Sequence, residues 1–181
     1  MKRPDESTYY AIRPDEAQAQ VALANHAPGG GRFVYGLSRP GVRASIPALE
    51  WQLPSTTSFD WLWNVQAARL LSDRFRQVLE PFLGAEDHIQ WLPARVVTRD
   101  GEPLPYWVAH FPEPLDIYDD SRTQFGPSGI PFPGRWTLSP TKVAGHHVFV
   151  PPSAVDLLIV TAPVAMAIRA AELTGLEITT L

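Results

Sequence analysis

The sequence predicts an α+β fold: an antiparallel or mixed sheet, a few short helices and proline-rich loops. Three observations point there. Short runs of aromatic and β-branched residues recur along the chain, and helical periodicity is confined to two stretches. The two kinds of segment do not alternate in the order that a parallel α/β sheet demands. Nineteen prolines among 181 residues, about twice the usual share of roughly 5%, interrupt helices and central strands and impose many fixed-angle loops.

Taken in order, residues 8–13 (TYYAIR) read as the first strand. NHAPGGGR (25–32) is a turn-rich loop. Its glycines lack both the GxGxxG spacing and the following GK[ST] of a phosphate cradle, so it reads as a loop rather than a nucleotide site. Residues 32–37 (RFVYGL) suggest a second strand. The proline-punctuated stretch 37–58 suggests a seam between an N-terminal lobe (1–58) and the remainder (59–181), together forming one compact unit. FDWLWNVQAARLL (59–71) opens as a helical turn and ends as a short buried strand. Trp61 and Trp63 share one face and belong in the core, with a partner-facing anchor as the alternative.

Ser72 stands where an N-cap belongs, and Asp73 adds negative charge where the helix dipole favours it. Leu71, Phe75, Val78, Leu79 and Phe82 form an apolar stripe of helical period that Pro81 ends, while Arg74 and Arg76 are expected to be solvated. HIQWLPARVVTRDGEPLPYWVAHF reads as two strands around Asp100-Gly101. Pro93 marks an edge or bulge, and LDIYD reads as a third strand. Residues 121–139 form a long glycine- and proline-rich loop anchored by aromatics. GHHVFV and DLLIV are strands. Thr161 caps a helix, PVAMAIRAAELTG, with Pro163 in its first turn and Gly175 as its stop. LEIT closes the chain as a strand.

Fifteen basic against nineteen acidic residues give a net charge of −4. That balance argues against a general nucleic-acid binder and suits a basic protein partner. The absence of cysteine excludes disulfides, zinc–thiolate sites and thiol catalysis. The opening MKRPDESTYYAIRPDE has no signal-peptide-like apolar run, and no run approaches the roughly 20 residues of a membrane helix. A soluble cytoplasmic protein without membrane contact is expected.

The chemistry-bearing stretch is HFPEPLDIYDDS (110–121), with one histidine and four carboxylates. His110, Asp116, Asp119 and Asp120 offer oxygen and nitrogen ligands for a hard cation, but the calcium-loop pattern DxDxDG is missing. His146 and His147 are neighbours on a strand and point to opposite faces. There is no GxSxG, and two acids in one short segment do not define a glycosidase cleft. No cofactor is expected, and nothing rises to an enzymatic constellation.

The order of local phrases says more than any one of them. LLSDRFRQVLE, HIQWLPARVVTRDGEPLPYWVAHF, LDIYDDS, HVFV and LIVTAPVAMAIRAAELTGLEIT follow one another, and together they resemble the immunity protein 11 family of bacterial polymorphic toxin systems. The matching positions are Leu71–Ser72–Asp73–Arg74, Trp91–Leu92–Pro93, Tyr106–Trp107–Val108, Asp116 with Asp119 or Asp120 and Ser121, and Thr174–Gly175–Leu176. The resemblance spans residues 67–179. It departs at AHFPEPLDIYDD, where the doubled aspartate offers two candidates for one family position.

The resemblance implies a non-enzymatic antidote of bacterial competition, including type VI secretion, that binds a toxin encoded beside it, often a nuclease. It would take no cofactor. Glu113, Asp116, Asp119 and Asp120 would then stand in for phosphate at a basic site, with Trp107 and Trp136 as desolvated anchors. Blocking substrate by bulk from elsewhere is the other route to inhibition. The competing readings are a metal-dependent hydrolase using His110, Asp116, Asp119 and Asp120, and a non-catalytic scaffold module.

Overall fold

Two sheets organise the chain, and each draws strands from distant parts of the sequence. The structure, a computed structural model, describes residues 8–26, 37, 39–152, 154 and 156–181. Strands β1 (Tyr9–Pro14), β8 (Val148–Phe149), β9 (Leu158–Thr161) and β10 (Leu176–Thr180) form an antiparallel sheet in the order β10-β1-β9-β8. The second sheet contains β2 (Asn25–His26), β3 (Leu49–Gln52), β4 (Trp61–Leu62), β5 (Leu70–Ser72), β6 (Gln90–Val97) and β7 (Pro103–His110). Its order is β2-β3-β6-β7-β5-β4, and it is mixed because β3 runs parallel to β6. The helices are α1 (Glu16–Ala19), α2 (Asp73–Leu79), continued by a 3₁₀ turn at Glu80–Phe82, and α3 (Ala162–Ala170). This is the α+β class that the sequence predicts.

Side chains alternate across a strand, so both faces of a covered strand must be apolar. That is the case for β9: Leu158 and Val160 join one core and Ile159 another. The first core is shared by both sheets and both longer helices, with Ile12, Leu71, Phe75, Leu79, Val164 and Ile168 among its members. A second core lies on the other face of the six-stranded sheet, around the fully buried Trp51. A third packs Ile117, Tyr118 and Val143 against Ala11, Phe149 and Ile159.

Several local expectations hold. β1 begins at Tyr9, the β6–β7 hairpin turns at Gly101 with φ +83°, and Ser72 Oγ accepts from the Phe75 N–H (3.1 Å) as the α2 N-cap. Phe75 and Leu79 are buried, and Pro81 falls in the 3₁₀ turn that ends the helix.

Others need correction. The expected helical turn after Phe59 is strand β4, which pairs with β5. LDIYD forms no strand: Tyr118 makes a single bridge to Leu138. Pro93 lies on an interior strand, but the β3 ladder reaches only as far as Ala94, so among the described residues no strand pairs with β6 on that side at the proline. Helix α3 ends at Ala170, well before Gly175. Glu172 takes the left-handed conformation (φ 51°), and the Glu172 and Leu173 N–H groups donate to Arg169 O (3.0 Å) and Ile168 O (3.4 Å), a Schellman end made without glycine. Thr161 occupies the N-cap position of α3 without a side-chain capping bond. The short helix α1, capped by Asp15, had no periodic signal in sequence.

The stretch 37–58, read as a seam, contains β3 with Trp51 in the second core. The strand expected over 32–37 lies, apart from Leu37, outside the described residues, and so does the 25–32 loop beyond β2.

Candidate functional site

The segment after β7 is held by its own aspartates. Asp116 Oδ1 accepts from the Tyr118 N–H (3.3 Å), and Asp119 Oδ1 accepts from the Ser121 N–H (3.0 Å) and hydroxyl (2.7 Å). These are side-chain-to-backbone turns of the kind that aspartate favours in loops. Lys142 Nζ bridges Asp116 Oδ2 (2.7 Å) and Asp120 Oδ2 (3.0 Å). The bond from Lys142, with the Tyr118 N–H assisting, holds the Asp116 carboxyl below the ordinary range, and the Ser121 hydroxyl does the same for Asp119. The two carboxylates in turn raise Lys142. Asp116, Asp120 and Glu113 keep 63%, 74% and 76% of their side chains exposed.

His110 is not brought to these acids. It is buried, and its ring nitrogens face Leu37 O (2.9 Å) and Gly41 O (2.7 Å). Among the described residues no three His, Asp or Glu side chains converge as metal ligands. The two tryptophans also part company. Trp136 meets Tyr118 edge-on at 6.0 Å beside the acidic segment. Trp107, on β7, donates its indole N–H to Asp73 Oδ1 (2.9 Å) and lies under the Arg76 guanidinium, 4.1 Å from ring centroid to Cζ. Arg76 also covers Trp91 and pairs with Glu80 (2.6 Å), so it is stacked rather than freely solvated.

One well-bonded acid is a residue that motif reasoning passed over. Asp60 is buried beside β4. Its Oδ2 accepts from the Thr174 N–H (2.9 Å) and hydroxyl (3.1 Å), and its Oδ1 accepts from the Ser72 hydroxyl (2.7 Å). Arg74 pairs with Asp60 at 3.5 Å and donates to Ala171 O. The Trp61 N–H donates to Thr174 O (3.1 Å), which brings Gly175 against the β4 backbone. A Cβ at Gly175, whose φ is +83°, would sit 2.3 Å from Trp61 O and 2.6 Å from Phe59 Cβ. Only glycine fits there.

Asp87 has a similar role, accepting from the N–H groups of Gly84 (3.0 Å) and His147 (3.2 Å) and pairing with His146 (3.4 Å). Buried Arg69 donates to Leu157 O (3.1 Å) and Ala154 O, and burial pulls its guanidinium down to about 10. The signal for Asp60 in sequence is a lone carboxylate between Phe59 and Trp61. A charge inside an apolar run must find partners or shift its ionisation.

The side chains of this small α+β protein thus tie its own elements and turns together. The model of the Immunity protein family (Imm11) matches residues 45–181, most of the chain, and the protein belongs to that family. Membership makes it an immunity protein with a cognate toxin as its partner. No curated protein matches the chain. Several phrases on which the sequence resemblance rests coincide with the internal ties described above: Ser72 and Thr174 meet at Asp60, Asp73 holds Trp107, and Asp116 and Asp119 hold their own turns. No helix among the described residues is long and apolar enough to cross a membrane.

Proposed function

We propose that the protein neutralises its toxin by direct contact and without catalysis, and that the toxin is a nuclease of a polymorphic toxin system encoded by the adjacent gene. The observation that carries this reading is the family match over residues 45–181. In this reading Glu113, Asp116, Asp119 and Asp120 face a basic, phosphate-holding surface of the toxin, Trp136 packs beside them, and Trp107 forms a separate anchor on β7. The first two acids and Asp120 are open to solvent, which supports a role in drawing in a basic partner. All these residues fall in 59–181, with 1–58 as a lobe that braces them through β1 and β3. The protein works in the cytoplasm of the producing cell, in competition that includes type VI secretion, and requires no cofactor, nucleic acid or membrane.

Co-expression tests the reading directly. The chain should rescue cells from the toxin encoded by the neighbouring gene and co-elute with it; killing without rescue, together with no stable complex, refutes it. Glu113→Gln with Asp120→Asn should slow association several-fold at low salt and flatten its salt dependence, as removal of steering charges does. Association rates that follow salt as in the unmodified chain would remove the steering role while leaving neutralisation in place.

A further inference from the structure

Residues 121–139 are not a slack loop but a finger with its backbone bonds made. The Phe132 N–H donates to Gln124 O (2.9 Å), the Gly126 N–H to Ile130 O (2.8 Å) and the Gln124 N–H to Arg135 O (2.9 Å). Its base is tied to the third core by the Asp119 N–H on Thr137 O (2.8 Å) and the Ser139 N–H on Ile117 O (2.8 Å). Gly129, at φ +74°, makes the tip turn. Tyr118 braces Phe125 and Trp136 edge-on at 5.8 and 6.0 Å. Yet the finger shows its apolar side chains to solvent: Ile130 is 54% and Phe132 46% exposed, and Phe125 is exposed as well. At its foot a groove of about 460 Å³ is lined by Gly134, Trp136, Thr137, Leu138 and the exposed Leu181. A segment tied down by its own backbone bonds, with an apolar outer face, is suited to contact with a partner.

The charges around it say what kind of partner. Asp116 and Asp120 share the single ammonium of Lys142, Arg122 acts on Asp119, and exposed Glu113 faces His88 (3.5 Å), so Glu113, Asp116, Asp119 and Asp120 keep a small excess over the cations Lys142, Arg122 and Arg135. Arg135 is turned onto Gln124 Oε1 (3.0 Å). The complementary surface is an apolar hollow whose border carries a modest positive excess. We infer that the 124–132 finger and its groove form the hydrophobic anchor of the toxin contact, the finger entering such a hollow and the groove receiving an apolar toxin side chain. This rests on the toxin reading above and divides the labour within it: the acids govern how fast the complex forms, and the finger governs how long it lasts.

The test uses the full chain and a catalytically inactive form of the toxin domain encoded beside it. In surface plasmon resonance, Ile130→Ser with Phe132→Ser should dissociate on the order of 30-fold faster, the cost of losing a central anchor, with salt dependence unchanged. Leu181→Asn, at the groove, should shorten the complex lifetime independently. Backbone amides of 121–139 should exchange more slowly in the complex. Folded variants that dissociate at the unmodified rate, with unaltered exchange over 121–139, would overturn the anchor while the complex itself stands. If the unmodified chain forms no complex, the toxin reading falls and takes the anchor with it.

Discussion

Asp60, next to β4, and Asp116, in the irregular segment after β7, are both carboxylates, yet they serve opposite ends. Asp60 is enclosed and joins positions 114 residues apart, taking donors from Thr174 and from Ser72 at once. Asp116, with Asp119 and Asp120, bonds within a few residues or to one lysine and stays open to water. The difference follows from solvation. A carboxylate taken out of water must have its lone pairs met by well-placed donors, so it becomes a tie between elements. A carboxylate left in water gives up little by having a loose partner and can exchange it for another. The conspicuous cluster is therefore suited to contact, and the inconspicuous single residue carries architecture.

The hardest blow to the enclosed side of this comparison is Gly175→Ala. The added methyl group would meet the β4 backbone in a left-handed position, and strain and overpacking together should remove about 3–5 kcal/mol, read by urea denaturation. Stability within 1 kcal/mol of the parent would mean that β4 and the 174–175 turn move apart freely. Next comes Asp60→Ala, which should remove about 1–3 kcal/mol, the cost of a buried Thr174 N–H left without its acceptor, since the Thr174 and Ser72 hydroxyls can turn to other partners. An equal loss from Asp120→Ala would erase the contrast between the two groups of acids.

The smallest effect belongs to the open side. The Asp116 and Asp119 carboxyls are held below their ordinary range, so their contribution is present above the unfolded value near about 3.9 and fades as pH falls through the lower folded value. Lys142→Met should move the Asp116 titration, followed by carbon NMR, up toward the ordinary range while barely changing the melting temperature at neutral pH. An unmoved Asp116 titration would mean that Lys142 does not hold it.

What could be read from the sequence was local. The β6–β7 hairpin announces itself through Asp100-Gly101 between alternating apolar runs, and α2 through its serine cap and stripe. The turn-holding bonds of the aspartates in DIYDDS are local in the same sense: donor and acceptor are two residues apart. What escaped depends on distance along the chain. Whether LDIYD becomes a strand turns on a neighbour to pair with, and Leu138 offers one bridge. Lys142 reaches Asp116 across 26 residues. The α3 stop was misplaced because Glu172 takes the left-handed turn usually left to glycine, while Gly175 is required by the closeness of β4 rather than by the helix.

The place of β1 has a consequence for how the molecule comes into being. It lies between β9 and β10, with Tyr10 opposite both Val160 and Thr180. Among the described strands β1 pairs only with β9 and β10, so its pairing waits until those segments have been made, and contacts so distant in sequence form slowly. Ile12 enters the first core from β1, so that core gains its Leu158, Val160, Val164 and Ile168 share only after the later segments have been made.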